Sequence, residues 1–272
     1  LVGGGSNGTK TCTVNVAGNV SITGVIDMSS ANTTSGAVEL NVGGDFSVTG
    51  SGILRNTKGT GTRTVNFNKP SGTQTFSSTA GGINTSAITF NAGKDLINDN
   101  TLQLLSNFVM NNTASLNVLN GATLDCGTNI VQATVANTQG NFNLNDGGTI
   151  KIGSTAGIAA SGASGNIQTA TTRIFTPTAN YVYNGSSAQV TGTGLTNANI
   201  LEINNAAGVA LSVNAAVSST LRLTSGNLDC GANTVSVTNN STSAISRTSG
   251  HVIGNLQRAI ATGANTYNFQ VG

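Results

Sequence analysis

The fold is decided by a stretch that occurs twice, first as Val14-Asn15-Val16-Ala17-Gly18-Asn19-Val20-Ser21-Ile22-Thr23-Gly24 and then, at a sequence offset of 26, as Leu40-Asn41-Val42-Gly43-Gly44-Asp45-Phe46-Ser47-Val48-Thr49-Gly50. Apolar residues fall on apolar residues, Asn15 falls on Asn41, and glycines bracket both copies. A repeat of about 25 residues built from short strands and turns is typical of a β-solenoid, in which each repeat is one coil stacked on the coil before it.

The same strand pattern, apolar-polar-apolar, recurs along the chain. Counting from Leu40 it recurs at successive offsets of 25, 23, 28 and 26, as Val65-Asn66-Phe67, Ile88-Thr89-Phe90, Leu116-Asn117-Val118 and Phe142-Asn143-Leu144. It returns as Leu201-Glu202-Ile203 and Leu221-Arg222-Leu223. Leu124-Asp125-Cys126-Gly127 also reappears, at an offset of 104, as Leu228-Asp229-Cys230-Gly231. Since 104 is four periods of 26, both patterns predict one coil length.

Strand alternation predicts which side chains face inward. Val14 and Val16 point into the coil and Asn15 points outward, since successive side chains in a strand lie on opposite faces. The segment Ala17-Gly18-Asn19 then turns the chain, and Asp45 is aligned with Asn19 in the same turn role. With coils about 4.8 Å apart, roughly ten coils predict a rod about 50 Å long.

Composition supports this fold class. Charged residues make up 7% of the 272 residues, whereas 37% are hydrophobic and arrive in alternation, so a core can form. The 36 glycines supply tight turns, and no long window has helical periodicity. We predict an all-β fold, a parallel β-helix (β-solenoid) with little or no helix and with coils of about 25 residues.

The predicted domains are a β-solenoid at residues 1–248 and a C-terminal cap, or the start of a further β module, at residues 249–272. Within the solenoid we expect a longer insertion between Asn98 and Asn112, and a loop or weak coil at residues 159–172. The first residues lack an initiator Met and a signal segment, which indicates a mature or trimmed end. No apolar run reaches the roughly 18 residues of a membrane span, so none is expected.

The acidic residues suggest no catalytic or metal site. They are Asp27, Glu39, Asp45, Asp95, Asp99, Asp125, Asp146, Glu202 and Asp229. The tightest pair, Asp95 and Asp99 beside Lys94, is typical of solvated turn residues. The segment Asn145-Asp146-Gly147-Gly148 lacks the repeated series of a calcium solenoid. With one histidine, His251, the sequence predicts no enzyme, no catalytic residue, no metal and no cofactor.

Three cysteines are present, Cys12, Cys126 and Cys230. If Cys126 and Cys230 hold equivalent positions four coils apart, they are separated by roughly 19 Å, which exceeds the reach of a disulfide. We therefore expect buried thiols, with Cys12 pairing to another chain as the alternative.

Surface composition limits the possible ligands. The eleven cations are scattered, which argues against a nucleic acid partner. A glycan platform would depend on Tyr181, Tyr183 or Tyr267, and these suit the wall or core better. Threonines before the strands invite comparison with flat ice-binding arrays, but the row is interrupted by Glu39, Ala87 and Asn141. The outward asparagines Asn15, Asn41, Asn66, Asn117 and Asn143, with Thr89 interrupting, predict a hydrogen-bonded ladder.

One resemblance is visible in the second half. The segment Ala179-Asn180-Tyr181-Val182-Tyr183-Asn184-Gly185, the strands from Leu201 and from Leu221, and Gly250-His251-Val252-Ile253-Gly254-Asn255-Leu256-Gln257-Arg258 resemble the long repetitive surface proteins of the Bacteroidetes and related bacteria. The likeness covers roughly residues 173–272. It implies a secreted or cell-surface β-helical adhesin or filament, and it assigns no active site.

The sequence therefore predicts an extracellular structural protein, either a filament subunit or the stalk of an adhesin. Association with itself, through open solenoid ends or strand addition, is the expected interaction, with a surface glycan as a possible ligand. The alternatives are a polysaccharide-degrading β-helix enzyme, which needs acids from adjacent coils to meet in an outer cleft, and an ice- or glycan-binding solenoid.

Overall fold

The computed structural model describes residues 11–29, 36–57, 61–79, 83–84, 88–94, 99–134 and 139–272. Over these residues the chain forms short strands joined by turns and contains no helix. Every pairing between these strands is parallel.

The strands in chain order are β1 (Thr11–Val16), β2 (Val20–Ile22), β3 (Val25–Asp27), β4 (Ala37–Val42), β5 (Phe46–Val48), β6 (Ile53–Arg55), β7 (Arg63–Phe67), β8 (Ser71–Ser78), β9 (Ile83–Asn84), β10 (Thr89–Ala92), β11 (Asp99–Leu104), β12 (Phe108–Met110), β13 (Ser115–Val118), β14 (Thr123–Asp125), β15 (Val131–Ala133), β16 (Asn141–Leu144), β17 (Thr149–Ile152), β18 (Thr172–Phe175), β19 (Asn180–Tyr183), β20 (Gln189–Val190), β21 (Asn197–Asn204), β22 (Val209–Ala210), β23 (Ala215–Ser225), β24 (Leu228–Val237), β25 (Ile245–Arg247) and β26 (Val252–Arg258).

These strands form two long sheets and two short ones. Sheet 1 has seven strands in the order β1, β4, β7, β10, β13, β16 and β18. Sheet 2 has fourteen strands, and ten of them are successive rungs of one stack: β2, β5, β8, β11, β14, β17, β19, β21, β23 and β25. The short sheets are β3-β6-β9 and β12-β15. In the first half of the chain each coil passes through sheet 1, sheet 2 and a short sheet, so the predicted parallel β-helix is confirmed.

The register of sheet 1 confirms the repeat and corrects one rung. Val14 lies beside Leu40, and the same column continues through Val65, Phe90, Leu116 and Phe142. From β1 to β16 the coils measured along this sheet are therefore 25 or 26 residues long. Placing Ile88 in this column is wrong by two positions. Ile88 and Phe90 are both buried, and a shift of two positions leaves a side chain on the same face of a strand.

The insertion between Asn98 and Asn112 is also wrong, because β11 and β12 lie there as regular rungs. Because the sequence comparison placed Ile88 in the column, the coil before it was counted as 23 residues, which is too short, and the coil after it as 28 residues, which is too long. An insertion comes after β17 and includes residues 159–172, where the sequence predicts a loop or weak coil. It lengthens that coil to 31 residues. The coils that follow in sheet 2 are shorter again.

This change of coil length breaks the long-range repeat. Leu124 shares a column with Ile150 and Tyr181, whereas Leu228 lies between Val209 and Val252 on another side of the coil. The two copies of Leu-Asp-Cys-Gly are therefore not four coils apart in register, and that inference is wrong.

The core is one continuous hydrophobic cluster along the rod. Its first half contains five buried phenylalanines in mutual contact: Phe46, Phe67, Phe76, Phe90 and Phe108. Their ring centroids lie 4.5 to 6.5 Å apart, the usual range for favourable aromatic pairs. The prediction of an apolar interior is confirmed.

Buried amide side chains fasten the corners between sheets. Each donates from its side-chain nitrogen to a main-chain carbonyl of an earlier coil, which satisfies the buried side-chain donor and adds a bond between coils. The bonds are 2.6 to 2.9 Å long and join Gln74 to Val42, Asn100 to Phe67, Asn166 to Asn129, and Gln189 to Ile152.

Parallel pairing continues past residue 248, because β26 pairs with β24 as far as Arg258 and Val271 forms a bridge with Val252. Arg258 anchors the final segment. Its guanidinium donates to the carbonyls of Ser241, Thr242 and Asn268 at 2.7 to 2.8 Å and lies 4.6 Å from the centre of a tyrosine ring, that of Tyr267. The division into 1–248 and 249–272 stays a prediction.

Candidate functional site

The outer face of sheet 1 carries an unbroken row of asparagines, one on each rung from β1 to β16. Each side-chain Nδ2 donates to the Oδ1 of the asparagine on the preceding coil at 2.7 to 2.9 Å. The row consists of Asn15, Asn41, Asn66, Asn91, Asn117 and Asn143. The predicted interruption at Thr89 is wrong, since Asn91 occupies that rung. The row ends at β18, where Ile174 follows.

A second outer row runs beside these asparagines. It consists of Thr13, Glu39, Thr64, Thr89, Ser115, Asn141 and Thr172. Glu39 and Asn141 interrupt the hydroxyl row as predicted, whereas Ala87 lies outside the described residues and Thr89 fills that rung. The threonines therefore do not form the uniform flat array that the ice-binding alternative requires.

Glu39 joins the two rows. Its Oε1 accepts from Asn66 Nδ2 at 2.7 Å and from Lys94 Nζ at 3.1 Å, and its Oε2 accepts from the Thr13 hydroxyl at 3.3 Å. Asn41 and Asn66 are each 2% exposed. These polar groups bond mainly to one another, so the face serves cohesion between coils more than recognition of a ligand.

Among the described residues, four carboxylates are paired with cations, on different parts of the surface. The ion pairs are Asp27–Arg55 at 3.0 Å, Glu39–Lys94 at 3.1 Å, Asp125–Lys151 at 3.7 Å and Glu202–Arg222 at 3.7 Å. Among the described residues, no three Asp, Glu, His or Cys side chains are grouped as metal ligands. Of the predicted acidic pair, Asp99 begins β11 and Asp95 lies outside the described residues.

Two other acidic residues, Asp45 and Asp146, accept hydrogen bonds from residues of neighbouring coils. Asn19 Oδ1 accepts from the Asp45 N–H at 2.8 Å, and Asp45 Oδ1 accepts from the Thr75 N–H at 2.8 Å, so their predicted turn role is confirmed. Asp146, in the glycine-rich segment considered for calcium, accepts a hydrogen bond from the Thr178 hydroxyl.

Asp27 at the end of β3 ties two coils together. Its carboxylate accepts from the Ser29 N–H at 3.0 Å, from Arg55 Nε at 3.0 Å and from the Thr57 hydroxyl at 2.8 Å. Burial alone raises the pKa of this carboxyl, but the hydrogen bonds from Ser29, Thr57 and Arg55 outweigh burial and lower the pKa to about 2.

We predict that Asp27→Asn lowers the free energy of unfolding by about 1–2 kcal/mol at pH 7, allowing for solvent screening. The folded pKa lies below the unfolded value of about 3.9. The stabilisation is therefore present above about pH 4 and is lost as the pH falls towards 2. Urea unfolding at several pH values measures the difference. Asp229→Asn, at an exposed carboxylate, is the control, and a deficit of the Asp27 variant that persisted unchanged to pH 2 would contradict the prediction.

The tyrosines do not provide a glycan platform at the positions considered. Tyr181 and Tyr183 are fully buried, with hydroxyls that donate to the carbonyls of Thr176 at 3.1 Å and Thr191 at 2.7 Å. Their predicted core role is confirmed. Tyr267 donates to the Asn240 carbonyl at 2.8 Å and lies against Arg258.

The thiols of Cys12, Cys126 and Cys230 are free. Cys126 and Cys230 are fully buried, and burial raises the pKa of both, which keeps them protonated and unreactive. Buried thiols are therefore confirmed for these two, although their equivalence by coil is wrong. Cys12, on β1, is partly buried.

Two shallow grooves lie on the outer surface of the C-terminal coils. One is floored by small residues, among them Ala207, Gly208 and Ala210, with Asp229 at its side. The other is lined by uncharged side chains that include Asn214, Thr234 and Gln257. Neither brings two carboxylates together.

No protein-family model, curated protein or solved structure matches this chain. In the part of the chain that the structure describes, no helix has the length and apolar character needed to cross a membrane.

Proposed function

We propose that this chain is an extracellular or cell-surface structural protein of a bacterium, acting as the subunit of a filament or as the stalk of an adhesin. The observation that carries the proposal is the stack of ten parallel rungs in sheet 2. Main-chain bonds, the asparagine row and the ion pairs all join one coil to another, as a stiff scaffold requires. The resemblance of residues 173–272 to repetitive surface proteins of the Bacteroidetes supports the same role.

We further propose that copies associate end to end. An edge coil presents unpaired main-chain groups and inward apolar side chains, which favour the addition of another strand. At the β1 end, Cys12, Val14 and Val16 pack on the core but are only partly buried. Towards the other end, Ile260 and Phe269 are 64% and 51% exposed.

Negative-stain imaging and light scattering over a range of concentrations test this proposal. We expect filaments or end-to-end oligomers of the unmodified chain. Ile260→Asp combined with Phe269→Asp should abolish them, because charge is placed at the apolar end. Leu105→Asp is the matched control, since Leu105 is 58% exposed but follows β11 on the side of the rod, and it should leave assembly unchanged.

The other outcomes are also informative. Monomeric rods at every concentration would favour the adhesin stalk and reject the filament. Particles that are not elongated, or cleavage of a polysaccharide panel by the purified chain, would contradict the structural role. Thermal hysteresis in ice growth would favour the ice-binding alternative.

A further inference from the structure

The asparagine row of sheet 1 has a direction. On every rung from β4 to β16 the side-chain Nδ2 donates to the Oδ1 of the preceding coil. At the start of the row, Asn15 Oδ1 accepts from Asn41 at 2.7 Å, whereas the exposed Asn15 Nδ2 has no acceptor among the described residues. A coil stacked on the free edge of β1 would continue the row if it brought an outward amide oxygen to this nitrogen.

The last coil carries such an oxygen on the corresponding side. In the C-terminal coils, the side that precedes sheet 2 in chain order is formed by the first part of β23 and the last parts of β24 and β26. Sheet 1 holds this position in the first half of the chain. Gln257 is exposed there, and its Oε1 accepts from the Ser236 hydroxyl at 2.8 Å. A carbonyl oxygen has two lone pairs, so this bond leaves room for a second donor.

Both strands also have an edge that can accept another strand. Among the described residues, β1 pairs with β4 alone, and residues 255–258 of β26 pair with β24 alone. The inward side chains beside the two amides, Val14 and Val16 on β1 and Leu256 on β26, pack on the core but are only partly buried. Unpaired main-chain groups next to apolar side chains favour the addition of a strand.

We infer that copies join head to tail, the head being the free edge of β1 and the tail the free edge of β26. In this joint the two strands pair in parallel, and Asn15 Nδ2 of one copy donates to Gln257 Oε1 of its neighbour. The inference rests on the proposed end-to-end association and names the two surfaces that meet. Because the surfaces differ, each added copy exposes a new tail or head, and growth is open-ended, as a filament requires.

The direction of the row disfavours a joint between two heads. Such a joint would bring two Asn15 donors together without an acceptor, and turning either amide over would give up its bond from Asn41. It would also place the two β1 strands antiparallel, since copies related by a two-fold axis run in opposite directions. Head-to-tail stacking keeps the parallel pairing that joins β1 to β4.

Disulfide cross-linking between two variants tests the inference. Asn15→Cys and Gln257→Cys are made separately in a chain that also carries Cys12→Ser, which removes the native thiol of β1. Neighbouring rungs place Cα atoms about 4.8 Å apart, within the reach of a disulfide. The variants are mixed while dilute, concentrated and oxidised by air. The equal mixture should give about tenfold or more disulfide dimer than either variant alone, since each joint brings one head against one tail.

A second pair of positions repeats the test without changing the two amides. Thr13 and Asn255 are exposed and lie two residues before Asn15 and Gln257, so the same register places them side by side. Thr13→Cys and Asn255→Cys should therefore also link in the mixture. Leu105→Cys is the matched control, because Leu105 is 58% exposed on the side of the rod, and it should not link to either tail variant.

The outcomes separate this inference from the proposed function. Dimers formed by Asn15→Cys or Thr13→Cys alone would show that like ends meet. Samples that light scattering shows to be associated, but that give no mixed dimer with either pair, would show that the joint lies elsewhere. Each of these results overturns the head-to-tail joint and leaves the filament standing. Monomers of the unmodified chain at every concentration would reject the filament and the joint together.

Discussion

Replacing Phe67 with alanine is expected to lower the free energy of unfolding by about 3–5 kcal/mol, the usual cost of emptying a phenylalanine site in a core. Phe67 is fully buried, and its ring lies 5.7 to 6.5 Å from four other rings, those of Phe46, Phe76, Phe90 and Phe108. Strand pairing fixes the coils on both sides of β7, so the walls cannot move in to fill the cavity.

Urea unfolding followed by far-ultraviolet circular dichroism measures this loss. Leu105→Ala is the matched control, because Leu105 is 58% exposed and a surface change costs less than about 0.5 kcal/mol. A Phe67 variant no less stable than the control would contradict the packing described above.

The repeat in the first half could be predicted because its inward residues alternate strictly and its first two copies align without a gap. Alternation could not show that Phe90, and not Ile88, shares the column of Val65, since a shift of two positions keeps the same face of the strand inward. A signal was present. Phe90-Asn91-Ala92-Gly93 matches Leu40-Asn41-Val42-Gly43 with asparagine on asparagine and glycine on glycine, and it would have completed the asparagine row.

The repeated Leu-Asp-Cys-Gly misled for a different physical reason. In both copies the aspartate accepts a hydrogen bond from the N–H of the following glycine, at 3.1 Å for Asp125 and 2.9 Å for Asp229. This is local turn chemistry that any strand end can use. The similarity between the two copies therefore reflects the same local turn, and it does not show that they lie in the same column of strands.

Polar residues inside the rod were not predictable from alternation. Arg63 is 1% exposed and points inward, where its guanidinium donates to the carbonyls of Gly36, Gly61 and Thr62 at 2.8 to 2.9 Å. Like Gln74, it donates to main-chain carbonyls at a corner between strands. A polar residue at an inward position beside a turn is the sequence signal for this role.

Asn66→Asp should be as damaging as the core truncation, lowering the free energy of unfolding by about 3 kcal/mol or more at pH 7. Asn66 donates to Asn41 Oδ1 at 2.8 Å and to Glu39 Oε1 at 2.7 Å, and it accepts from Asn91 at 2.8 Å. The introduced carboxylate keeps the bond from Asn91 but loses both donors. It also places a second negative charge against Glu39 in a site that is 2% exposed.

The pH dependence separates charge repulsion from a loss of shape. Burial and the neighbouring carboxylate raise the folded pKa of the introduced carboxyl above the unfolded value of about 3.9. The deficit is therefore full above the folded pKa and shrinks as the pH falls through it, when the protonated group can again donate to Glu39. Asn15→Asp is the control, because Asn15 is exposed and accepts a bond from Asn41 that a carboxylate can also accept. Equal losses at the two positions, or a deficit at residue 66 that is constant between pH 7 and 4, would show that the row does not hold the coils through its directed hydrogen bonds.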